Sequence, residues 1–104
     1  FLAKFIDPEK VARVTVNFAG NKDEESGDVF MSWFHPPNFL GPYHEQDLGV
    51  LKQVGDLLTE VGLETRTVSH REIKRQGFFK TILNAALNAL CATTGLTMAE
   101  AMRM

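Results

Sequence analysis

The spacing of apolar residues changes several times along the chain, and each change marks an element. From Val11 to Phe18 the apolar positions Val14, Val16 and Phe18 alternate with polar ones, which predicts a strand. A polar turn follows from Gly20 to Gly27. Asp28 to His35, with Val29, Phe30, Met31, Trp33 and Phe34, predicts a second strand pairing with the first as an antiparallel hairpin. His35-Pro36-Pro37-Asn38 ends it, because proline lacks an amide donor and disfavours helix before it. Phe39 to Pro42 reads as a short further strand. Ahead of all this, Phe1 to Ile6 reads as a helix end or loop and Asp7-Pro8-Glu9 as a turn.

The period then lengthens to that of a helix. Leu48, Leu51, Val54, Leu57, Leu58 and Val61 recur at three- and four-residue steps, predicting a helix over 45–61 that Gly62 closes. Leu63 to Val68 is a short strand in which Glu64 and Arg66 alternate with Thr65 and Thr67. Ser69 with Glu72, and Thr97 with Glu100, have capping-box spacing, so helices are expected from His70 to about Thr93, ended by Gly95, and again after Thr97.

Composition narrows the class. The chain has 104 residues, 44% of them hydrophobic and 23% charged, with a formal net charge of −2. That is an ordinary globular balance, with no membrane span expected and no basic footprint for nucleic acid. One cysteine, Cys91, excludes an internal disulfide and, with no Cys/His cluster, gives no zinc spacing. It reads as a buried small side chain. Phe1 to Ile6 lacks the pattern of a signal peptide, and a cytoplasmic, reducing location is the expectation. The start at Phe1 and the short run after Thr97 lead us to expect a segment of a longer enzyme. His35, His44 and His70 lie at a strand end, in a loop and at a helix start, where exposure is usual.

The long helix carries the candidate chemistry. Lys80, Asn84 and Asn88 stand at four-residue steps, each advancing only about 40° around the axis, so they form one polar stripe roughly 12 Å long. Ile82, Leu83, Ala86, Leu87, Ala89 and Leu90 fall between about 180° and 340° from Lys80, a wide apolar arc. Each Asn costs roughly 0.6 kcal/mol of helix propensity against Ala, so helix stability does not explain them. With so few other polar residues, the helix is expected to be buried on most sides and the stripe to face a cleft. A solvated surface face is the competing reading.

Phe79-Lys80-x-x-x-Asn84-x-x-x-Asn88, followed by a small apolar segment and a glycine, resembles the start of the C-terminal helical domain of ketopantoate reductases (2-dehydropantoate 2-reductases). The order of the preceding segments is similar too: a strand ending in a small-residue turn over Val14 to Gly20, a hairpin through Val29 to Phe34, a Leu40-Gly41-Pro42 turn, and a helix feeding a strand. The resemblance implies that Lys80 is the proton donor to the substrate carbonyl and that Asn84 and Asn88 hydrogen-bond the substrate. It further implies a backbone contact from Gly20 to the cofactor. Met98-Ala99-Glu100 and Ala89 depart from the family pattern, which has Asn-Gly-Glu and Pro there, and this leaves the identity of the 2-oxo acid open.

The expected fold is thus an α/β fragment. Residues 1–68 would end a nucleotide-binding, Rossmann-like sheet, and residues 69–104 would start an all-α C-terminal domain. The expected function is that of a segment, inactive alone, of an NADPH-dependent reductase converting ketopantoate to pantoate for coenzyme A biosynthesis. No GxGxxG stands after a strand, so the dinucleotide phosphates would lie elsewhere. The expected partners are a small 2-oxo acid and a second copy of the chain, with neither nucleic acid nor membrane. The alternatives are a reductase of a different 2-oxo acid and a non-catalytic binding or dimerisation module.

Overall fold

A computed structural model describes residues 1–45 and 48–104. It is an α/β structure in two compact units, Phe1–Ile73 and Lys74–Met104. The first unit opens with single 3-10 turns at Leu2–Lys4 and Pro8–Lys10, followed by β1 (Ala12–Thr15), β2 (Phe18–Lys22), β3 (Val29–Phe34), β4 (Asn38–Pro42), α1 (Gly49–Glu60) and β5 (Thr65–Thr67). Helix α2 (His70–Thr94) starts in the first unit and continues through the second, which ends with α3 (Met98–Ala101). Residues 46 and 47, in the sequence-predicted first turn of α1, lie outside the described residues.

Two small sheets organise the first unit. One has the order β1-β4-β5, with β1 antiparallel and β5 parallel to the central β4; the other is the β2-β3 hairpin. Parallel neighbours need a crossover, and α1 supplies it, so β4, α1 and β5 form a βαβ unit. The segment 39–42, read from sequence as a minor strand, is therefore the centre of the sheet.

The hairpin differs from the sequence reading. Val11–Phe18 is not one strand: it breaks after Thr15, and β3 pairs with Phe18–Lys22 instead. Asn17 makes the break. Its backbone N–H donates to the Asn38 side chain at 2.8 Å, its side chain donates to the Pro37 carbonyl at 2.8 Å, and its own carbonyl accepts from His35 N–H at 2.8 Å. Spending those groups on residues 35–38, between β3 and the start of β4, leaves Asn17 unable to continue the β1 ladder. Gly20-Asn21-Lys22, expected as turn, joins the ladder opposite Met31, Phe30 and Val29. The true turn begins at Asp23, whose carboxylate accepts from the Glu25 and Ser26 amides at 2.8 and 2.9 Å, and Gly27 closes it with φ 77°.

Close approach, rather than bulk, holds the sheet against its helices. A Cβ on Gly41, in the middle of β4, would lie 2.6 Å from Ile73 Cβ and 3.0 Å from the Val68 carbonyl oxygen. Ile73, only 1% exposed, packs onto the strand through that gap. Likewise a Cβ on Gly55 of α1 would lie 2.7 Å from Thr67 Oγ1 on β5. Helix α1 therefore turns Gly55, with Leu51 and Leu58 partly covered, toward the sheet. Val54, Leu57 and Val61, expected on its core face, are exposed. Thr59 links the end of α1 to β5, its hydroxyl donating to the Gly55 carbonyl at 2.9 Å and accepting from Thr65 N–H at 3.0 Å.

The predicted caps are present. The Glu72 amide donates to Ser69 Oγ at 3.2 Å, and Thr97 and Glu100 form a complete capping box on α3. Gly62 and Gly95 take positive φ just after α1 and α2. Among the described residues no helix is long and apolar enough to cross a membrane.

Candidate functional site

In the second unit, residues 74–94 continue α2 without a break, so Lys80, Asn84 and Asn88 share one face as their spacing requires. Lys80 is half-buried, while Asn84 and Asn88 are exposed. Next to Lys80, Thr81 Oγ1 reaches back one turn and donates to the Gly77 carbonyl at 2.9 Å. The Arg75 guanidinium sits 5.5 Å from the Phe79 ring centroid, covering part of that ring on another side of the helix. Among the described residues, no side-chain hydrogen bond or ion pair engages Lys80, Asn84 or Asn88. The stripe is thus one ammonium and two amides aligned and unspent.

The expectation that this helix is buried on most sides is not met. Phe78, Phe79, Ile82 and Leu83 are 66, 54, 51 and 57% exposed, and Ala85, Ala86 and Ala89 are exposed as well. After α2 the described residues of this unit supply only the four-residue α3, and among them Ala101 is the buried one, at 6% exposure. Cys91, on the stripe's side of the helix, is partly rather than fully buried.

Gly20 belongs to the first unit and lies within β2, not in a turn. A Cβ there would lie 3.3 Å from the Phe30 carbonyl oxygen and 3.4 Å from Val29 Cγ1, beside the irregular register between Ala19 and Gly20. A side chain there would crowd the Phe30 carbonyl oxygen by a few tenths of an ångström. The first unit also groups aromatic and basic side chains: the Arg13 guanidinium lies 4.7 Å from the Tyr43 ring centroid, His44 packs edge-on to Tyr43, and the His70 ring is 6.3 Å from that of His44. His70 is half-buried, with Nδ1 3.3 Å from the Pro42 carbonyl, whereas His35 and His44 are exposed as expected. Among the described residues no group of His, Cys, Asp and Glu side chains is placed to hold a metal ion.

Gly77 escaped the sequence reading. It lies on the stripe's face, about 60° around from Lys80 and between the azimuths of Asn84 and Asn88. A Cβ there would meet nothing within 4 Å. Its signal was present, since glycine in the interior of an Ala/Leu-rich helix goes against propensity as the asparagines do. No family profile, curated protein or solved structure matches the chain.

Proposed function

We propose that this chain is a segment of an NADPH-dependent 2-oxo acid reductase of the ketopantoate-reducing kind, with Lys80 as proton donor and Asn84 and Asn88 as substrate ligands. The observation that carries this reading is the aligned, unengaged Lys-Asn-Asn stripe on α2. When a 2-oxo acid is reduced at its carbonyl carbon, charge gathers on the oxygen. An ammonium within hydrogen-bond reach stabilises that charge and supplies the proton. Neutral amides add directional hydrogen bonds to the substrate's oxygens without bringing further charge.

The βαβ unit of the first unit supports reading it as the end of a Rossmann-like sheet. The residues present do not fit a dinucleotide. No glycine-rich phosphate turn occurs, and the glycine at position 20 lies inside a strand of the hairpin. We therefore assign this chain the acid and the substrate contacts, and the cofactor phosphates to other residues of the enzyme. A cytoplasmic location and self-association belong to the same reading. The exposed Phe78, Phe79, Ile82 and Leu83 favour a second reading, a binding or dimerisation module that works by this apolar face.

Kinetics of the reductase carrying this segment separate the two. Lys80→Ala should lower kcat by roughly 10²–10⁴-fold, the usual span for losing a general acid or a preorganised charge. Asn84→Ala and Asn88→Ala should mainly raise KM, with smaller losses in kcat. A folded Lys80→Ala enzyme reducing ketopantoate and related 2-oxo acids at near wild-type rate would remove Lys80 from the chemistry and leave the module reading.

A further inference from the structure

The first unit holds a cleft of about 350 Å³ that the proposed reduction does not use. It is lined by Pro42, Glu45, Leu48, Ser69, His70 and Arg71, all within Phe1–Ile73. Pro42 ends β4, Leu48 is the N-cap residue of α1, and Ser69 lies two residues beyond the end of β5. The cleft therefore stands outside the carboxyl ends of the parallel β4-β5 pair. Open α/β sheets take their ligands in that crevice, and the volume is that of a small-molecule site.

The cleft carries charges of both signs that are not spent on each other. Glu45 offers a carboxylate and Arg71 a guanidinium; both are exposed, and among the described residues no hydrogen bond or ion pair engages either side chain. His70 is held by its Nδ1, 3.3 Å from the Pro42 carbonyl oxygen. That oxygen can only accept, so the ring hydrogen sits on Nδ1 and the neutral ring keeps Nε2 as an acceptor. Ser69 Oγ accepts from the Glu72 amide at 3.2 Å and retains its own hydrogen to donate. Donors at Ser69 and Arg71, acceptors at Glu45 and His70, and an apolar wall at Leu48 thus line one small space. A simple anion would meet Glu45 and a simple cation Arg71, and such like-charge approaches select against both. A ligand bearing an ammonium and a carboxylate on one carbon answers every group.

We propose that this cleft binds a free α-amino acid with an apolar side chain. Its carboxylate engages Arg71 and Ser69, its ammonium engages Glu45 and His70, and its side chain rests against Leu48. The proposal does not depend on the reductase reading, whose Lys80, Asn84 and Asn88 belong to the second unit.

The test is an NMR titration of the full chain with L-leucine, followed through the His70 ring and Leu48 methyl resonances. The controls are 4-methylpentanoate, which lacks the ammonium, 3-methylbutylamine, which lacks the carboxylate, and inorganic phosphate. L-leucine should give saturable shifts with a Kd on the order of 1 mM or below. Each control should bind roughly tenfold or more weakly, the effect of losing one charge-assisted hydrogen bond. Arg71→Gln and Glu45→Gln should each weaken L-leucine by a similar factor, and the amide spectrum confirms that both variants are folded. Shifts that do not saturate by about 20 mM overturn the proposal. So does any control that binds as tightly as L-leucine, or a folded variant at either position that binds L-leucine as the wild type does.

Discussion

Gly41 and Gly77 are the same residue in opposite situations. A methyl group added at Gly41 runs into Ile73 and the Val68 carbonyl, whereas one added at Gly77 meets only space. The difference extends to the units that contain them. In the first unit several unusual choices are answered by neighbours within the chain, Gly55 by Thr67 and Asn17 and Asn38 by each other, although Val54, Leu57 and Val61 are exposed there too. In the second, Gly77, Asn84, Asn88 and the exposed Phe78, Ile82 and Leu83 go against propensity or burial, and a Cβ at Gly77 would meet nothing within 4 Å. Residues explained by their own packing report on folding. Residues that go against local rules with no internal compensation are where a functional or strained site is expected.

The largest effect should come from filling the gap in the first unit. At Gly41→Ala the new methyl would meet the Cβ of Ile73, an atom fixed to the α2 backbone that cannot rotate away, so strand or helix must shift. The expected loss is at the upper end of the roughly 1–3 kcal/mol typical of overpacking. Urea unfolding followed by fluorescence of Trp33 would measure it. A loss below about 0.5 kcal/mol would mean that β4 and α2 are not packed this closely.

How much of this was legible beforehand follows the same division. Caps and helix ends are local, and Ser69, Thr97, Gly62 and Gly95 act as their spacing predicted. The alternation in β5 is also as read, with Thr65 buried and Glu64 and Arg66 exposed. Strand pairing was not legible, because Asn17 and Asn38 meet from 21 positions apart and no local pattern reports that contact. Nor was the exposure of α2: an apolar arc predicts that a helix face will be covered, not that the covering residues are at hand. The stripe was visible because helical spacing alone aligns it, but Gly77 was missed because a glycine is read as a defect until the space around it is known.

A smaller change of opposite sign is expected in the second unit. Gly77→Ala places a better helix former in open space on α2, so the chain should gain about 0.5–1 kcal/mol. Thermal melting of Gly41→Ala and Gly77→Ala side by side gives the sharpest form of the contrast, one falling and the other rising. If Gly77→Ala melts lower, an unseen contact already fills that space in the chain, and the glycine is explained by packing after all.

The smallest effect concerns the feature the two units share. Glu100 accepts from the Thr97 hydroxyl at 2.7 Å and the Thr97 amide at 2.8 Å, and these bonds, the hydroxyl's first, hold its carboxyl below the usual glutamate range. Asp23 is lowered in the same direction by the backbone amides of Ser26 and Glu25. A carboxylate with a depressed folded-state pKa contributes stability that is complete above its unfolded value and is lost as pH falls through the folded one. Acid should therefore loosen the Asp23 turn and the α3 cap over a similar window, at and below the ordinary carboxylate range. Both groups are fully exposed, so the global transition should hardly move. Side-chain carboxyl titration by NMR would read each site separately. Both motifs close within four residues and depend on nothing outside themselves, so the two midpoints should both lie below the ordinary values. If Asp23 is depressed and Glu100 is not, the Thr97–Glu100 capping box does not form on its own local bonds.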